Sequence, residues 1–253
     1  MVFELEDTSK VENLFDGWQE TLILSCLQKV MGKVYVTDAV NPASAFAFVG
    51  CFGFFAGVPD RELVENKPEG FVLFAPQNEE WAKLIEDCYP TAKRVTRYAI
   101  KKDTSFDRTF LQGLVDSLPE CYELRPIDSE IYDKCLLNPV TRDFVSAFES
   151  KEKYLELGRG MVILKDGNII SGASSYTRYK EGIEIEVDTA PEYRRQHLAM
   201  TVCAALILQC LDEGLYPSWD AQNMNSVLMA EKLGYEFSHE YIAYEVASDL
   251  RTH

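Results

Sequence analysis

Apolar positions recur with two spacings along the chain, and each spacing predicts one kind of element. Dense apolar and aromatic runs at residues 44–57 and 70–76 predict buried strands, and the alternation over 93–102 predicts a further strand. Between them, residues 77–89 have the spacing of a helix that Asn78 would cap. The first half therefore predicts a strand–helix–strand unit.

A helical pattern at residues 11–31 precedes this unit, and a longer α/β series follows it. The second half predicts the order β-α-α-β-β-β-α-β-α-β over segments that begin at residues 121, 128, 138, 160, 169, 182, 198, 215, 225 and 236. Asp166 and Gly167 predict a tight hairpin, because Asp-Gly supplies the positive φ values that such a turn needs. The polar stretch around residues 101–120 indicates a boundary near residue 118, so we expect domains 1–118 and 119–253.

Composition and charge exclude several classes of protein. Hydrophobic residues make up 47% of the 253 residues, so the chain can bury a sizeable core. The net charge is −16, and no cluster of Lys and Arg with interleaved aromatic residues offers a surface for nucleic acid. No basic leader and no run of about 18 apolar residues is present, so we expect a cytoplasmic protein without a membrane partner. Monomer and homo-oligomer both stay open.

Cysteine and glycine spacing gives no sign of a metal or nucleotide site. The seven cysteines include no Cys-x-x-Cys pair, so we expect them to be mostly buried packing residues in a reducing compartment. The glycine-rich run GCFGFFAG at residues 50–57 lacks the Lys-Ser/Thr ending of a phosphate-binding P-loop. We therefore interpret it as core strands with a turn.

Basic and polar residues gather in the segment YRRQHLAMTVCAALILQCLDEGLYPSWD, directly before an apolar helix. The first amides of a helix have no partner inside it and carry a partial positive charge, so this end can bind an anion. Two Arg side chains before the helix would strengthen a site for a diphosphate. The alternative is that Arg194 and Arg195 only solvate a loop, and the segment alone leaves both interpretations open.

The order of elements, together with the segments YRRQHLA, WDAQNMNS and AEKLGYEF, resembles the GNAT superfamily of acyl-CoA-dependent N-acyltransferases. The resemblance covers residues 121–246, and RRQHLA fits the superfamily's Arg/Gln-x-x-Gly-x-Gly/Ala turn except that His197 stands where glycine is usual. More narrowly, residues 214–235 resemble the branch that includes the zwittermicin A resistance acetyltransferase. The resemblance implies a mixed α/β (α+β) fold, with a mostly antiparallel sheet flanked by helices, and a reduced GNAT-like domain in the first half.

By the same resemblance, acetyl-CoA is the co-substrate and a primary amine of a small molecule is the acceptor. Its pyrophosphate would bind at the central helix, its pantetheine arm would pair with the preceding strand, and two residues of the next helix would face it. The residues so implied are Val187, Asp188, Thr189, Arg194, Arg195, Gln196, His197, Leu198, Ala199, Asn223 and Ser226.

His197 is the departure from the pattern that matters most for the cofactor turn. A glycine there would let a phosphate approach closely, whereas a side chain is tolerated if the local backbone is ordinary helix. Imidazole titrates near neutrality, so a catalytic role for His197 is an alternative. Its expected place beside phosphate rather than beside the thioester argues against that role.

Transfer of an acetyl group to an amine needs a base, or a water chain, to take the amine proton. Glu184 and Glu186 share one face of a predicted strand because the sequence alternates there, so they are the candidate bases, with Glu184 the first choice. Solvent-facing or cross-strand paired carboxylates are the equally open alternative. Trp219 is a candidate wall of the acceptor pocket, or else a core residue.

Many GNAT enzymes have a tyrosine before the EKLG segment, and it protonates the leaving thiolate. This sequence has Ala230 there, and Tyr193, Tyr216 and Tyr244 are possible substitutes or packing residues. A thiol is acidic enough to leave as thiolate with water nearby. The absence of the usual tyrosine at Ala230 and the replacement of the usual glycine by His197 also fit a second hypothesis, a non-catalytic acyl-CoA-binding or regulatory module.

Overall fold

The structure is a computed structural model that describes residues 1–247. These residues form two compact units. The first unit contains residues 1–97 and the described end of the chain from Glu240, and the second contains Tyr98–His239. The domain boundary expected near residue 118 falls inside the second unit, because the helix before it packs against the central helix of that unit.

The elements up to the first division are β1 (Phe3–Glu4), α1 (Thr21–Leu27), β2 (Lys33–Val36), β3 (Ser44–Val49), β4 (Phe52–Gly57), α2 (Arg61–Glu65), β5 (Val72–Pro76), α3 (Glu79–Cys88) and β6 (Lys93–Ile100). Those that follow are α4 (Arg108–Asp116), β7 (Glu123–Pro126), α5 (Ser129–Leu137), α6 (Lys151–Leu157), β8 (Gly160–Lys165), β9 (Asn168–Tyr179), β10 (Gly182–Thr189), α7 (Leu198–Asp212), β11 (Tyr216–Ser218), β12 (Asp220–Ala221), α8 (Met224–Lys232) and β13 (Phe237–Val246).

The first unit has a mostly antiparallel sheet in the order β1-β2-β3-β4-β5-β13-β6. The glycine-rich run supplies the turn and strand β4 of the β3–β4 hairpin, which confirms core strands with a turn. The rings of Phe46 on β3 and Phe55 on β4 stack with 4.5 Å between their centroids. Asn78 caps α3 by accepting from the amides of Glu80 and Trp81, as predicted. The helix predicted at 11–31 is wrong in extent, because the chain there forms two short 3-10 turns before α1.

The second unit has a five-stranded sheet in the order β11-β10-β9-β8-β7, which is antiparallel except for the pair β10–β11. Helix α7 covers one face of this sheet, and α4 packs against α7 as well. Val202, Cys203 and Leu206 are all fully buried, since α7 has packed neighbours on several sides. This packing explains why the α7 sequence is apolar almost all round.

In the second unit, the predicted hairpin turn is present, whereas one predicted helix and one predicted strand differ from the structure. Asp166 and Gly167 have φ values of 51° and 76° and form the two-residue hairpin between β8 and β9. The helix predicted from residue 138 is wrong: that segment contains a 3-10 turn, Arg142–Phe144, and α6 follows it. The strand predicted at 215–221 is two strands, β11 and β12, with different partners.

Four of the seven cysteines are buried, Cys51 and Cys88 are half-buried, and Cys121 is exposed. Within residues 1–247 there is no group of three or more His, Cys, Asp or Glu residues placed to hold a metal ion. No helix in this part of the chain is long and apolar enough to cross a membrane.

Candidate functional site

Strand β11 leaves β10 at Glu184, and this separation opens one edge of the second unit's sheet. The parallel strands pair from Gly182 opposite Tyr216 to Glu184 opposite Ser218. After Ser218 the chain turns away, because β12 pairs with the end of β6 instead. In the described chain, residues 185–189 of β10 therefore have no strand partner on this side, and an extended ligand can bond to their backbone.

The connection from β10 to α7 contains two residues with left-handed backbone. A 3-10 turn at Pro191–Tyr193 leads to Arg195 at φ 62° and His197 at φ 63°. Ordinary helical backbone, the condition under which a side chain would be tolerated at position 197, is not met, because His197 is the residue before α7 and lies outside the helix. A left-handed residue other than glycine costs about 1–2 kcal/mol, so this turn is strained.

The strained turn leaves backbone amides unpaired at the start of α7. The first bond of the helix runs from the Thr201 amide to the His197 carbonyl oxygen at 3.1 Å, and the His197 side chain makes no capping bond. The amides of Leu198, Ala199 and Met200 consequently have no partner inside the helix. Successive amides in such a turn form a concave site for an anion.

The polar side chains of the turn have different partners. Arg194 donates from Nε to the Thr189 carbonyl oxygen at 2.9 Å, and its Nη2 lies 3.3 Å from Asp188 Oδ1, so it ties the turn to the end of β10. Gln196 accepts from the Tyr122 hydroxyl at 2.9 Å. Arg195 is exposed and makes no hydrogen bond or ion pair within residues 1–247. Of the two arginines, Arg195 is thus the one whose guanidinium has no partner in the described chain.

A cleft of about 630 Å³ lies between the end of β10, this turn and α8. The predicted residues that line it are Val187, Asp188, Thr189, Arg194, Arg195, His197, Leu198, Ala199 and Ser226. Gln196 and Asn223 do not line it. Asn223 instead caps α8, where its Oδ1 accepts from the Ser226 amide at 3.0 Å.

Sequence reasoning missed the α8 side of the cleft. Gln222, Asn225, Met229 and Lys232 line it together with Leu228. Asn225, Met229 and Lys232 are separated by four and three residues, which places them on one face of α8, and Gln222 lies just before the helix. Once Ser226 was implicated, this spacing was the signal that would have found them.

Glu184 and Glu186 lie on the other face of β10 from α7, because Ile183 and Ile185 pack in the core that includes α7. Neither carboxylate lines the cleft. Glu184 is buried, with 3% of its surface exposed, and its Oε2 lies 4.0 Å from Lys102 Nζ. Glu186 is half-buried.

Comparison with known proteins identifies the family of the chain. A family model described as GNAT acetyltransferase matches residues 12–244, which is most of the sequence. The chain belongs to the GNAT acetyltransferase family. YdfB, an uncharacterized N-acetyltransferase of Bacillus subtilis (strain 168), is 26% identical over 261 residues, covering 93% of this chain and 94% of YdfB.

Solved structures agree with the GNAT assignment. The crystal structure of a GCN5-related N-acetyltransferase-like protein from Streptococcus suis 89/1591 is 47% identical, with a TM-score of 0.90, over 95% of this chain and 98% of that chain. A tandem GNAT protein from the clavulanic acid biosynthesis pathway, 10% identical, covers 98% of both chains with a TM-score of 0.55 and shares the fold. The mixed, mostly antiparallel sheets flanked by helices are thus those of the GNAT fold.

The tyrosines considered as acids of this GNAT chain have different surroundings. Ala230 is fully buried in the core, and Tyr216 donates to the Lys101 carbonyl oxygen at 3.2 Å. Tyr244 lies in the first unit, where it donates to Glu86. Tyr193 lines the cleft, and its position there keeps it as the remaining candidate.

Trp219 is a core residue, with 2% of its surface exposed. Its indole Nε1 donates to the Ser226 hydroxyl at 3.1 Å, which connects the end of β11 to α8 beside the cleft. The side chain therefore fixes the position of Ser226 on the cleft wall.

Proposed function

We propose that this chain is an N-acetyltransferase that moves an acetyl group from acetyl-CoA to a primary amine of a small molecule by direct attack. The observation that carries the proposal is the cleft that begins where β11 leaves β10 and ends at the unpaired amides of α7. Its volume of about 630 Å³ lies within the range of small-molecule sites.

The residues of the cleft fit the chemistry of acetyl-CoA. The amides at residues 198–200 and the unpaired Arg195 would hold the pyrophosphate, and Lys232 supplies a second cation on the opposite wall. The open edge of β10 at residues 187–189 would pair with the amides of the pantetheine arm. Asp188 contributes its backbone, because Arg194 already neutralises its carboxylate.

Acetyl-CoA supplies an activated acetyl group, so the protein needs no nucleophile of its own. The neutral amine attacks the thioester carbon, and a base takes the proton that the nitrogen loses. Glu184 is our first choice for this base, acting through water because its carboxylate is buried. Glu186, two residues along the same face, is the second choice.

The leaving thiolate has no tyrosine at the usual position, where Ala230 stands. A thiol with a pKa of about 8.5 is acidic enough to leave as thiolate and then take a proton from water, so the reaction does not require a protein acid. Tyr193 is the tyrosine that lines the cleft, and we propose it only as an alternative donor.

The acceptor is proposed as a small aminated metabolite or antibiotic. The likeness of residues 214–235 to the branch with the zwittermicin A resistance acetyltransferase supports this class. The net charge of −16 favours a cationic acceptor by its long-range field.

Calorimetric titration of the chain with acetyl-CoA tests the cofactor site. Arg195→Glu should weaken binding at least tenfold, because it replaces an unpaired cation of the cleft by an anion. The matched control is Lys83→Glu, which makes the same change in charge at an exposed residue of α3. No binding by the parent chain, or equal loss in both variants, would refute the proposed cofactor site.

Release of free thiol with a panel of polyamines, aminopolyols, aminoglycosides and amino acids tests turnover. Glu184→Gln should keep the affinity for acetyl-CoA and reduce turnover by about 10²–10⁴-fold, the usual contribution of a general base. The absence of turnover with every amine, with acetyl-CoA still bound, would favour the non-catalytic module instead. The buried Ala230 at the acid position is the observation on the side of that second candidate.

A further inference from the structure

A lysine from a distant segment lies where β11 separates from β10. Lys102, in the loop between β6 and α4, donates from Nζ to the Trp219 carbonyl oxygen at 2.8 Å. That carbonyl stands between β11 and β12, at the break between the two strands. The same Nζ lies 4.0 Å from Glu184 Oε2, and 15% of the lysine side chain and 5% of the glutamate side chain are exposed.

The loop that carries Lys102 is fixed on both sides of this residue. The Lys101 amide donates to the Glu236 carbonyl oxygen at 2.9 Å. The Tyr216 hydroxyl donates to the Lys101 carbonyl oxygen and accepts from the Thr104 amide, each at 3.2 Å. These contacts hold the backbone on both sides of Lys102, and the bond to the Trp219 carbonyl oxygen holds its ammonium.

Lys102 is a cation beside Glu184, and the phenols of Tyr179 and Tyr235 also lie near this carboxylate. Tyr179 from β9 shares a hydrogen bond of 2.9 Å with the Ser218 hydroxyl, and Tyr235 after α8 donates to the Pro217 carbonyl oxygen at 2.6 Å. Burial raises the pKa of both phenols, and the charge of Glu184 adds to this effect. Both therefore stay neutral while Glu184 titrates.

We propose that Lys102 is a positioning residue that keeps the Glu184 carboxylate ionised and oriented at the point where β11 leaves β10. The inference rests on the proposed function, in which Glu184 is the base. It names a residue that the sequence patterns did not implicate.

The energetic reason is the burial of Glu184. A carboxylate loses stability when it leaves water, so loss of a nearby cation favours its protonated form, which cannot accept a proton from the amine. At 4.0 Å the ammonium is too far for a direct hydrogen bond but close enough to favour the charged form. Its bond to the Trp219 carbonyl oxygen fixes it there.

The test is the pH dependence of kcat/KM in Lys102→Met. Loss of the cation raises the pH at which the base loses its proton, so the acid limb should move upward by about 1–3 pH units. Activity should return to near the parent level on the alkaline side, which a merely structural defect would not allow. Lys102→Arg keeps the charge and should restore the parent profile.

Lys101→Met is the matched control, because this neighbouring lysine makes an exposed ion pair with Glu236. It should leave the acid limb in place. If Lys102→Met does not fold, Lys102→Gln tests the same loss of charge while keeping a donor for the Trp219 carbonyl oxygen. An unmoved acid limb in a folded, neutral variant would overturn the proposal.

A second readout separates this proposal from the proposed function. The carboxyl ¹³C signal of Glu184, assigned by its absence in Glu184→Gln, can be titrated in the protein without acetyl-CoA. An upward shift of its midpoint in Lys102→Met supports the pairing even if no amine is turned over, in which case only the proposed function fails. Turnover with an unchanged midpoint overturns the role of Lys102 and leaves the proposed function standing.

Discussion

The left-handed backbone of His197 predicts that glycine is the more stable residue at this position. The perturbation is a pair of variants, His197→Gly and His197→Ala, which both remove the imidazole. Their difference therefore reports the backbone alone, since φ is 63° and ψ is 6° at this residue. The side chain is exposed and makes no capping bond, so its removal exposes no buried partner.

The magnitude follows from two opposing terms. Alanine at a left-handed position costs about 1–2 kcal/mol, and glycine avoids this cost. Glycine loses about 0.5–1 kcal/mol more backbone entropy on folding. At the middle of both ranges, His197→Gly should be more stable than His197→Ala by about 0.75 kcal/mol, which corresponds to a rise in Tm of about 1.5–3 °C.

Urea unfolding of the two variants, followed by circular dichroism, measures this difference in the free energy of unfolding. The sign of this difference distinguishes left-handed from helical backbone at position 197, because in ordinary helix alanine would be the more stable residue by about 0.5–1 kcal/mol. Equal stability, or a more stable His197→Ala, would refute the left-handed conformation. At the proposed cofactor site, binding of acetyl-CoA should also tighten in His197→Gly, since the turn would then have no Cβ beside the bound phosphates.

Two further predictions concern the first unit and a buried hydroxyl. The first unit should add no second acetyl-CoA site, because residues 52–55 of β4 stay paired with β5 along the corresponding parallel strands. Calorimetry should give one acetyl-CoA per chain, and a value of two would contradict this. Thr177 Oγ1 is fully buried without a hydrogen-bond partner in the described chain, so Thr177→Val should raise the free energy of unfolding by about 1–3 kcal/mol. A lower urea midpoint for Thr177→Val would show that the hydroxyl has a bonding role in the folded chain.

Much of the fold follows from local chemistry in the sequence. The Asp166-Gly167 hairpin, the Asn78 cap and the alternating strand at residues 93–100 are all present, because each depends on neighbouring residues. The secondary-structure predictions that were wrong concern segments in which the local spacing of apolar residues competes with tertiary packing. Residues 138–150 have a helical pattern but form a 3-10 turn, where Phe144 is buried.

The candidate site also combines features that depend on neighbouring residues with features that depend on tertiary structure. The motif around Arg195 and the helical spacing on α8 are readable in the sequence, and they point to the residues that line the cleft. Which arginine is unpaired is not readable, since Arg194 is held by Asp188 and Thr189 through the path of the turn. The left-handed φ of His197 is likewise a result of how the turn closes.

The sequence by itself determined most of the elements, the family resemblance and the prediction of an anion site at the start of α7, because these depend on residues within a few positions of one another. Tertiary structure alone decided where β11 leaves β10 and which cation stands beside Glu184. Lys102, Glu184 and Trp219 are far apart in the chain, and no periodic pattern connects them. Only the closure of long loops by packing brings such groups together, so their chemistry emerges with the fold.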